Sequence, residues 1–160
     1  MFPPIPSWDG LHPLIVHFPI ALLIVAPVLV VLGLIVYRQF LWFSVSTLVI
    51  MALGTISAFV AVSTGEAAGE LVLRDAQINE VLARHMDLAE TTSRVFLILT
   101  LLFAVLTLIP PALKRPFKRI TGTVVTVVFL LIYAAGTLLL ANAAHQGGRL
   151  VHELGVRGLG

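Results

Sequence analysis

Cysteine is absent from the 160 residues of this chain. Its absence excludes disulfides, iron–sulfur clusters, thiolate metal sites and covalently attached c-type haem, all of which need the thiol. The strong metal ligands that remain are histidine and carboxylate, and the chain has five histidines and eight acidic residues. Any metal or cofactor must therefore be held by imidazole or carboxylate groups.

Charged residues are also scarce, at 11% of the chain against roughly a quarter in a typical soluble domain, whereas 59% of the residues are hydrophobic. The formal net charge is only +2, and the basic residues are dispersed or lie beside apolar runs. They do not form the basic stripe that a nucleic-acid partner requires. We therefore expect no nucleic-acid partner, and we expect membrane lipid to be the main solvent.

Four apolar runs, at about 13–37, 41–64, 95–113 and 120–144, are each long enough to cross a bilayer core about 30 Å thick. The segment at about 66–92 is polar and holds six of the eight acidic residues. We predict an all-α membrane protein, a four-transmembrane-helix bundle with an external amphipathic helix between spans two and three. The whole chain, 1–160, is expected to form a single membrane domain. No basic residue precedes the first run and no small-residue cleavage motif follows it, so we expect it to remain in the mature protein.

Prolines and small residues modify the first two spans. Pro13 suits the first position of a helix, but Pro19 and Pro27 lie inside span one and each removes an amide donor, so we expect kinks near His17 and Ala26. In span two, a row of small residues predicts close contact with a neighbouring helix: Gly54, Ser57, Ala58 and Ala61.

The external segment has a regular apolar stripe at helical spacing. Its members follow the i, i+3, i+4, i+7, i+8, i+11 pattern of one helix face: Ile78, Val81, Leu82, His85, Met86 and Ala89. The stripe predicts a helix that folds over the mouth of the bundle. Its histidine, His85, should therefore face spans one and four.

Basic residues occupy both short turns between spans, with Arg38 in the first turn and Lys114, Arg115, Lys118 and Arg119 in the second. Short cytoplasmic loops are rich in Lys and Arg, so these turns are predicted to be cytoplasmic and both termini external. All eight acidic residues then fall on the external side, which supports the same orientation.

The histidines are His12, His17, His85, His145 and His152. In the predicted topology they all lie at the external face, and an ionisable group in a membrane protein is by default a functional hypothesis. On a continuous helix, His12 and His17 would point about 140° apart and lie about 7.5 Å apart along the axis, so they should not share one metal ion. The deeper His17 is the better ligand candidate. We expect Gly147 and Gly148 to break the last helix between His145 and His152.

Less specific interpretations of the same residues stay open. A lone interfacial histidine is more often a hydrogen-bonded structural residue than a ligand. Glu66 and Glu70 are metal-ligand candidates, yet such a pair at a helix end is more often solvated. Met86 is more often a packing residue than a ligand.

Three motifs resemble a known family over Leu11 to Val156. They are His12-Pro13-Leu14-Ile15-Val16-His17-Phe18-Pro19-Ile20-Ala21-Leu22, Thr64-Gly65-Glu66-Ala67-Ala68-Gly69, and His145-Gln146-Gly147-Gly148-Arg149-Leu150-Val151-His152. On these motifs the chain resembles the family called domain of unknown function 2231. The resemblance implies a four-span protein of a prokaryotic inner membrane. Some members of that family lie beside, or are fused to, redox domains of the cytochrome c or Rieske type, which favours haem.

The leading hypothesis is a b-type cytochrome that binds one or two haem b groups near the external face. The expected axial ligands are His17, His85, His145 and His152, with His12 either supporting a ligand or replacing one. The propionates would meet Arg84, Arg94 or Arg149. We expect an electron-transfer component, not a stand-alone enzyme, that passes electrons from membrane quinol to an external acceptor, such as a cytochrome c or Rieske-type protein, and that forms a homodimer.

Two other classes remain open. One is a non-haem site for Zn, Cu or Fe, built from three histidines with Glu66 or Glu70, although no HExxH motif supports hydrolysis. The other is a non-catalytic membrane anchor or assembly module whose histidines sense pH or form hydrogen bonds. The uniformly apolar spans disfavour a transporter.

Overall fold

The structure, a computed structural model, describes residues 6–73, 75–115 and 117–156. A 3-10 turn at Asp9–Leu11 leads into α1 (His12–Ile15) and α2 (His17–Ile35), and a second one at Tyr37–Gln39 leads into α3 (Phe40–Glu70). Two long helices follow, α4 (Ala76–Ala112) and α5 (Arg119–His152). No strand occurs among the described residues, and the predicted all-α fold is confirmed. Parts of the predicted lead-in, turns and tail lie outside the described residues: 1–5, Arg74, Pro116 and 157–160.

Four helical stretches are long and apolar enough to cross a membrane: Asp9–Ile35, Tyr37–Glu70, Ala76–Ala112 and Arg119–His152. Each of the long helices packs on the next along the chain, and α5 also contacts α2, which closes an antiparallel bundle. Large apolar side chains such as Val28, Ile56, Ile98 and Leu131 are exposed on its outer faces, where lipid would surround them. The predicted four-span bundle is confirmed.

The two ends of this bundle differ in chemistry. One end, called the histidine end, combines α1, the last turns of α3, the first turns of α4 and the last turns of α5. The opposite end, called the basic end, has the short connections between spans and contains Arg38, Lys114, Arg115, Lys118 and Arg119. The antiparallel order of the helices therefore brings the histidine-containing segments together.

Aromatic and large aliphatic side chains fill the interior of the bundle. Phe129 joins the core through ring contacts, with its centroid 4.9 Å from that of Phe103 and 5.8 Å from that of Tyr133. Gly54 permits a close approach of α2 to α3, because a Cβ there would lie 2.8 Å from Cδ2 of Leu23. The close helix contact predicted from the small residues of span two is confirmed at Gly54.

A hydrogen bond between helices replaces the backbone hydrogen bond that α2 lacks at Pro27. Proline has no amide hydrogen, so Pro27 leaves the carbonyl of Leu23 without its usual donor four residues later. The Tyr133 hydroxyl of α5 donates to that carbonyl over 2.7 Å, and the bond is buried. A side chain thus supplies the donor that the helix lacks, as a membrane interior requires.

Tyr133→Phe should therefore destabilise the bundle. The substitution keeps the ring but leaves the buried carbonyl of Leu23 unsatisfied, at a cost of about 1–2 kcal/mol. Thermal unfolding in detergent should show a lower Tm. Tyr37→Phe is the matched control, because the Tyr37 hydroxyl has no hydrogen-bond partner among the described residues. Equal Tm values for the two variants would refute this role of Tyr133.

The polar segment at about 66–92 is helical, but it does not form a separate helix. Its residues are divided between the end of α3, which runs to Glu70, and the start of α4, which begins at Ala76. With 37 residues, α4 is about 55 Å long and exceeds the thickness of a membrane core. The predicted stripe lies on its inner face, where Val81 and Leu82 pack against Leu150 of α5. The stripe thus continues the buried face of span three beyond the membrane.

The interruptions predicted near His17 and at Gly147 and Gly148 had different outcomes, while α2 stays helical through Pro27. Between α1 and α2 the chain turns at Val16, next to His17, where Pro19 cannot donate to the carbonyl of Ile15. The break predicted at Gly147 and Gly148 is wrong, because α5 continues through both glycines to His152. Helix–helix packing accounts for this difference, because Gly147 lies directly against a side chain of α4.

Candidate cofactor site

The histidine end contains all five histidines, but the structure brings only two of their rings together. His12 and His85 are half-buried and line a cavity of about 150 Å³. His17, His145 and His152 are exposed and do not line that cavity. A shared site at this end is therefore built on the imidazoles of His12 and His85.

His12 is held at the start of α1 by the end of α3. Its Nδ1 lies 3.0 Å from the carbonyl oxygen of Ala61 and 3.2 Å from Oγ1 of Thr64. A carbonyl oxygen only accepts hydrogen bonds, so Nδ1 must carry the proton and donate. Gly65 makes this approach possible, because a Cβ there would lie 2.8 Å from Cε1 of His12.

His85 is held in a similar way by α5. Its Nδ1 donates to the carbonyl oxygen of Ala143 over 2.9 Å, across the interface between α4 and α5. Gly147 lies one turn further along α5, and a Cβ there would come within 3.0 Å of Cε1 of His85. The expectation that His85 faces spans one and four is confirmed by its contacts with His12 and Ala143.

The rings of His12 and His85 lie next to each other in an edge-to-face arrangement. Their centroids are 6.5 Å apart and their planes are inclined by 75°. Each Nδ1 is engaged with a carbonyl, and neither Nε2 has a hydrogen-bond partner within the described ranges. The pair therefore presents two nitrogen lone pairs that are free to bind a metal.

Both histidines lie outside the apolar runs of their spans, about 13–37 and 95–113, and toward one end of the bundle. His85 precedes Asp87, Glu90 and Arg94, which separate it from the apolar run of α4, and His12 lies level with His85. Burial lowers the pKa of both imidazoles, and the proximity of His85 lowers that of His12 further, against the opposing effect of their carbonyl partners. A lowered pKa favours the neutral form of both imidazoles, which is the form that binds metal ions.

Apolar and acidic residues complete the cavity. Leu82, Met86 and Leu150 contribute its apolar wall, while the acidic residues that line it are Asp9, Glu66 and Glu90. Glu70, the other carboxylate considered as a ligand, is exposed and does not line it. In the part of the chain that the structure describes, no group of three or more His, Cys, Asp or Glu residues is arranged to hold a metal ion.

The three arginines expected to meet propionates form ion pairs on their own helices. Arg94 contacts Glu90 at 2.6 Å, Arg149 contacts Glu153 at 2.9 Å, and Arg84 lies 4.0 Å from Glu80. All three are i, i+4 pairs with substantial exposure, so these arginines can exchange partners at little cost. Their predicted role is untested.

Sequence reasoning missed the residues that position the two imidazoles. The supporting acceptors are main-chain carbonyls of Ala61 and Ala143, which no sequence motif marks. Gly65 and Gly147 do stand within the motifs of the family resemblance, next to Thr64 and Gln146 respectively. A glycine next to a polar residue near a helix end, found at both positions, was the available signal that a side chain packs closely against the helix there.

Fold and site together define a four-span helical membrane protein with two paired imidazoles at one end of its bundle. A family model described as a predicted membrane protein (DUF2231) matches residues 9–159. The chain therefore belongs to this family, domain of unknown function 2231, as its motifs indicated. Comparisons with curated proteins and with solved structures found no match.

Proposed function

We propose that this protein is a membrane b-type cytochrome whose haem b would be held by the imidazoles of His12 and His85. The observation that carries the proposal is the pair of adjacent imidazoles, with centroids 6.5 Å apart. With metal–imidazole bonds of about 2.0–2.1 Å, a separation of this size would leave room for one metal ion between the two imidazoles.

The number of protein ligands favours haem over other metal centres. Porphyrin supplies four nitrogens to its iron, so the protein need supply only two, whereas zinc sites take three or four ligands from protein. The cavity offers two imidazoles with free Nε2 atoms. This donor set fits a bis-imidazole haem.

The surroundings of the two rings also suit axial ligation. Each Nδ1 donates to a main-chain carbonyl, which fixes the tautomer and the ring direction and makes Nε2 the ligand atom. Gly65 and Gly147 leave room for the rings. A porphyrin is larger than the cavity, so the flexible Met86 side chain and the packed Leu82 and Leu150 beside it would have to shift to admit one.

Electron transfer is the activity that follows from this ligand set. Haem supplies one-electron chemistry, and two imidazoles leave its iron no open position for a substrate. His12 and His85 would hold the same coordination in both oxidation states, which keeps reorganisation small. We propose membrane quinol as donor and an external redox protein as acceptor, in a prokaryotic inner membrane with the histidine end and both termini outside.

The exposed histidines and the carboxylates define the remaining alternatives. His17, His145 and His152 stay predicted ligands for a second haem, on surfaces that another chain or molecule would have to complete.

Asp9, Glu66 and Glu90 line the same cavity as the imidazole pair. Their presence favours a non-haem metal ion as the second candidate function, with carboxylates drawn in as further ligands.

The absorption spectrum of the detergent-purified full chain tests the proposal. The protein should be produced in cells supplied with a haem precursor and measured before and after dithionite. We expect sharp reduced α and β bands, a shifted Soret band and about one haem per chain. Stoichiometric metal without porphyrin bands would select the non-haem site instead. A colourless, metal-free protein that also takes up no added haemin would overturn both.

A further inference from the structure

A second cavity, of about 300 Å³, lies at the basic end of the bundle. Exposed residues form its rim, among them Arg38, Leu41 and Phe117. Its floor is polar and buried, with the hydroxyl residues Ser44, Thr107 and Thr126. The cavity thus combines an open, partly charged mouth with a polar base between membrane spans.

Hydrogen-bond acceptors in this cavity lack the donors that a helix normally provides. Pro110 and Pro111 lie inside α4 and have no amide hydrogens, so the carbonyls of Leu106 and Thr107 lose their usual donors four residues later. All four residues line the cavity. An unsatisfied carbonyl is costly within a membrane, so a donor from outside the chain would be favoured here.

The Thr107 side chain adds a third polar group without a partner. It is only 7% exposed, and its hydroxyl makes no hydrogen bond within the described residues. The neighbouring hydroxyls are satisfied, because Ser44 donates to the carbonyl of Phe40 and Thr126 to that of Gly122. At Pro27 the Tyr133 hydroxyl replaces the missing amide donor of the helix. No described side chain donates to the carbonyls left without a donor by Pro110 and Pro111.

Positive charge surrounds the mouth of the cavity and has no acidic counterpart there. Arg38 lines the mouth, and the guanidinium of Arg119 lies 4.7 Å above the ring of Tyr37, which also lines it. The ion pairs formed by the described residues all lie toward the histidine end. All eight acidic residues belong to segments of that end. An anion is therefore the complementary partner at the basic end.

We propose that this cavity binds an anionic phospholipid whose headgroup carries hydroxyl groups, as in the phosphatidylglycerol class. Its phosphate meets Arg38 and Arg119, and its glycerol hydroxyls donate to the carbonyls of Leu106 and Thr107. Its acyl chains lie along exposed apolar residues such as Leu41 and Phe117. The proposal is independent of haem binding, because the two cavities lie at opposite ends of the bundle.

The two tryptophans provide a local probe for this site. Trp42 is 75% exposed and follows Leu41 of the cavity rim, whereas Trp8 lies at the histidine end. In a Trp8→Phe chain reconstituted in mixed bilayers, quenching by brominated acyl chains reports the lipids next to Trp42. The lipids to compare are phosphatidylglycerol, phosphatidylmethanol, which has equal charge but no headgroup hydroxyl, and phosphatidylcholine.

We expect quenching of Trp42 to rank phosphatidylglycerol above phosphatidylmethanol, and phosphatidylmethanol above phosphatidylcholine. Each cationic side chain that the headgroup meets should raise the affinity for an anionic lipid, relative to phosphatidylcholine, about fivefold. Arg38→Gln should reduce the preference for both anionic lipids. Pro110→Ala with Pro111→Ala restores two amide donors and should remove only the advantage of phosphatidylglycerol over phosphatidylmethanol.

A Trp42→Phe chain, which retains Trp8, is the control and should show no such ranking. Equal quenching of Trp42 by phosphatidylglycerol and phosphatidylcholine would overturn the site. Equal quenching by phosphatidylglycerol and phosphatidylmethanol would overturn the role of the headgroup hydroxyls, and with it the proposal. These comparisons in the Trp8→Phe chain do not depend on whether the Pro110 and Pro111 variants fold.

Discussion

Replacing either His12 or His85 by alanine should abolish haem binding. Each substitution removes one of the two Nε2 ligands and leaves the opposite imidazole alone in the cavity. Even the loss of a group that merely orients a metal ligand lowers affinity about 10–100-fold, so the loss of the ligand itself should cost more. Haem content per chain, measured after extraction of the purified variants, should fall by more than about tenfold.

The exposed histidines provide matched controls for this experiment. His145→Ala and His17→Ala delete the same imidazole from positions that do not line the cavity, so the variants should keep the haem shared by His12 and His85. Size-exclusion chromatography should show that all four variants remain folded. Haem retained in His12→Ala and His85→Ala but lost from the exposed-site variants would show that the ligand pair is wrong.

Gly65→Ala should weaken haem binding although it removes no ligand of the haem. A Cβ at Gly65 would lie 2.8 Å from Cε1 of His12, closer than real Cβ atoms approach, and 3.1 Å from its Nδ1. The ring must therefore move away from Ala61 and Thr64 and lose the bonds that orient it. Titration with haemin should show affinity lower by about 10–100-fold, the usual cost of losing such support.

Together with Gly65→Ala, alanine substitutions at two further glycines should have graded effects on the haem affinity. Gly147→Ala brings a Cβ within 3.0 Å of Cε1 of His85, so its effect should be smaller than that of Gly65→Ala. Gly148→Ala meets no atom within 4 Å and should bind haem as the unaltered chain does. All three changes add one methyl group within a helix and share the same gain in helix propensity. Equal affinities across the series would contradict the packing account.

Periodicity and composition predicted the parts of the fold that depend on the local spacing of residues. The four apolar runs, the stripe that contains His85, and the direction in which that stripe faces are all found in the structure. Each depends on local spacing, which fixes a helix face once the helix forms. The small residue Gly54 likewise indicated a close helix contact correctly.

The ranking of His17 above His12 rested on depth along the span, which does not determine where a side chain points. The turn at Val16 separates the two residues, so His12 belongs to α1 and faces α3, whereas His17 opens α2 and is exposed. The contact of His12 with Ala61 joins residues 49 positions apart, a separation that no local pattern reports. Pairing His12 with His85 therefore required the tertiary structure.

The expectation for Gly147 and Gly148 failed for a related reason. Adjacent glycines favour a helix break when only backbone entropy is considered. Here α5 gains contact with α4, since the ring of His85 occupies the space that a side chain at Gly147 would need. Tertiary packing therefore outweighs local propensity, as is common for glycine in membrane helices.

The electron paramagnetic resonance spectrum of the oxidised, purified full chain tests most directly whether two imidazoles share one iron. The account predicts a low-spin ferric signal of bis-imidazole type, which disappears in His12→Ala and in His85→Ala and persists in His145→Ala. A high-spin ferric signal in the unaltered chain would contradict it, because one axial position of the iron would then lack its imidazole. So would a low-spin signal that survives the loss of either His12 or His85.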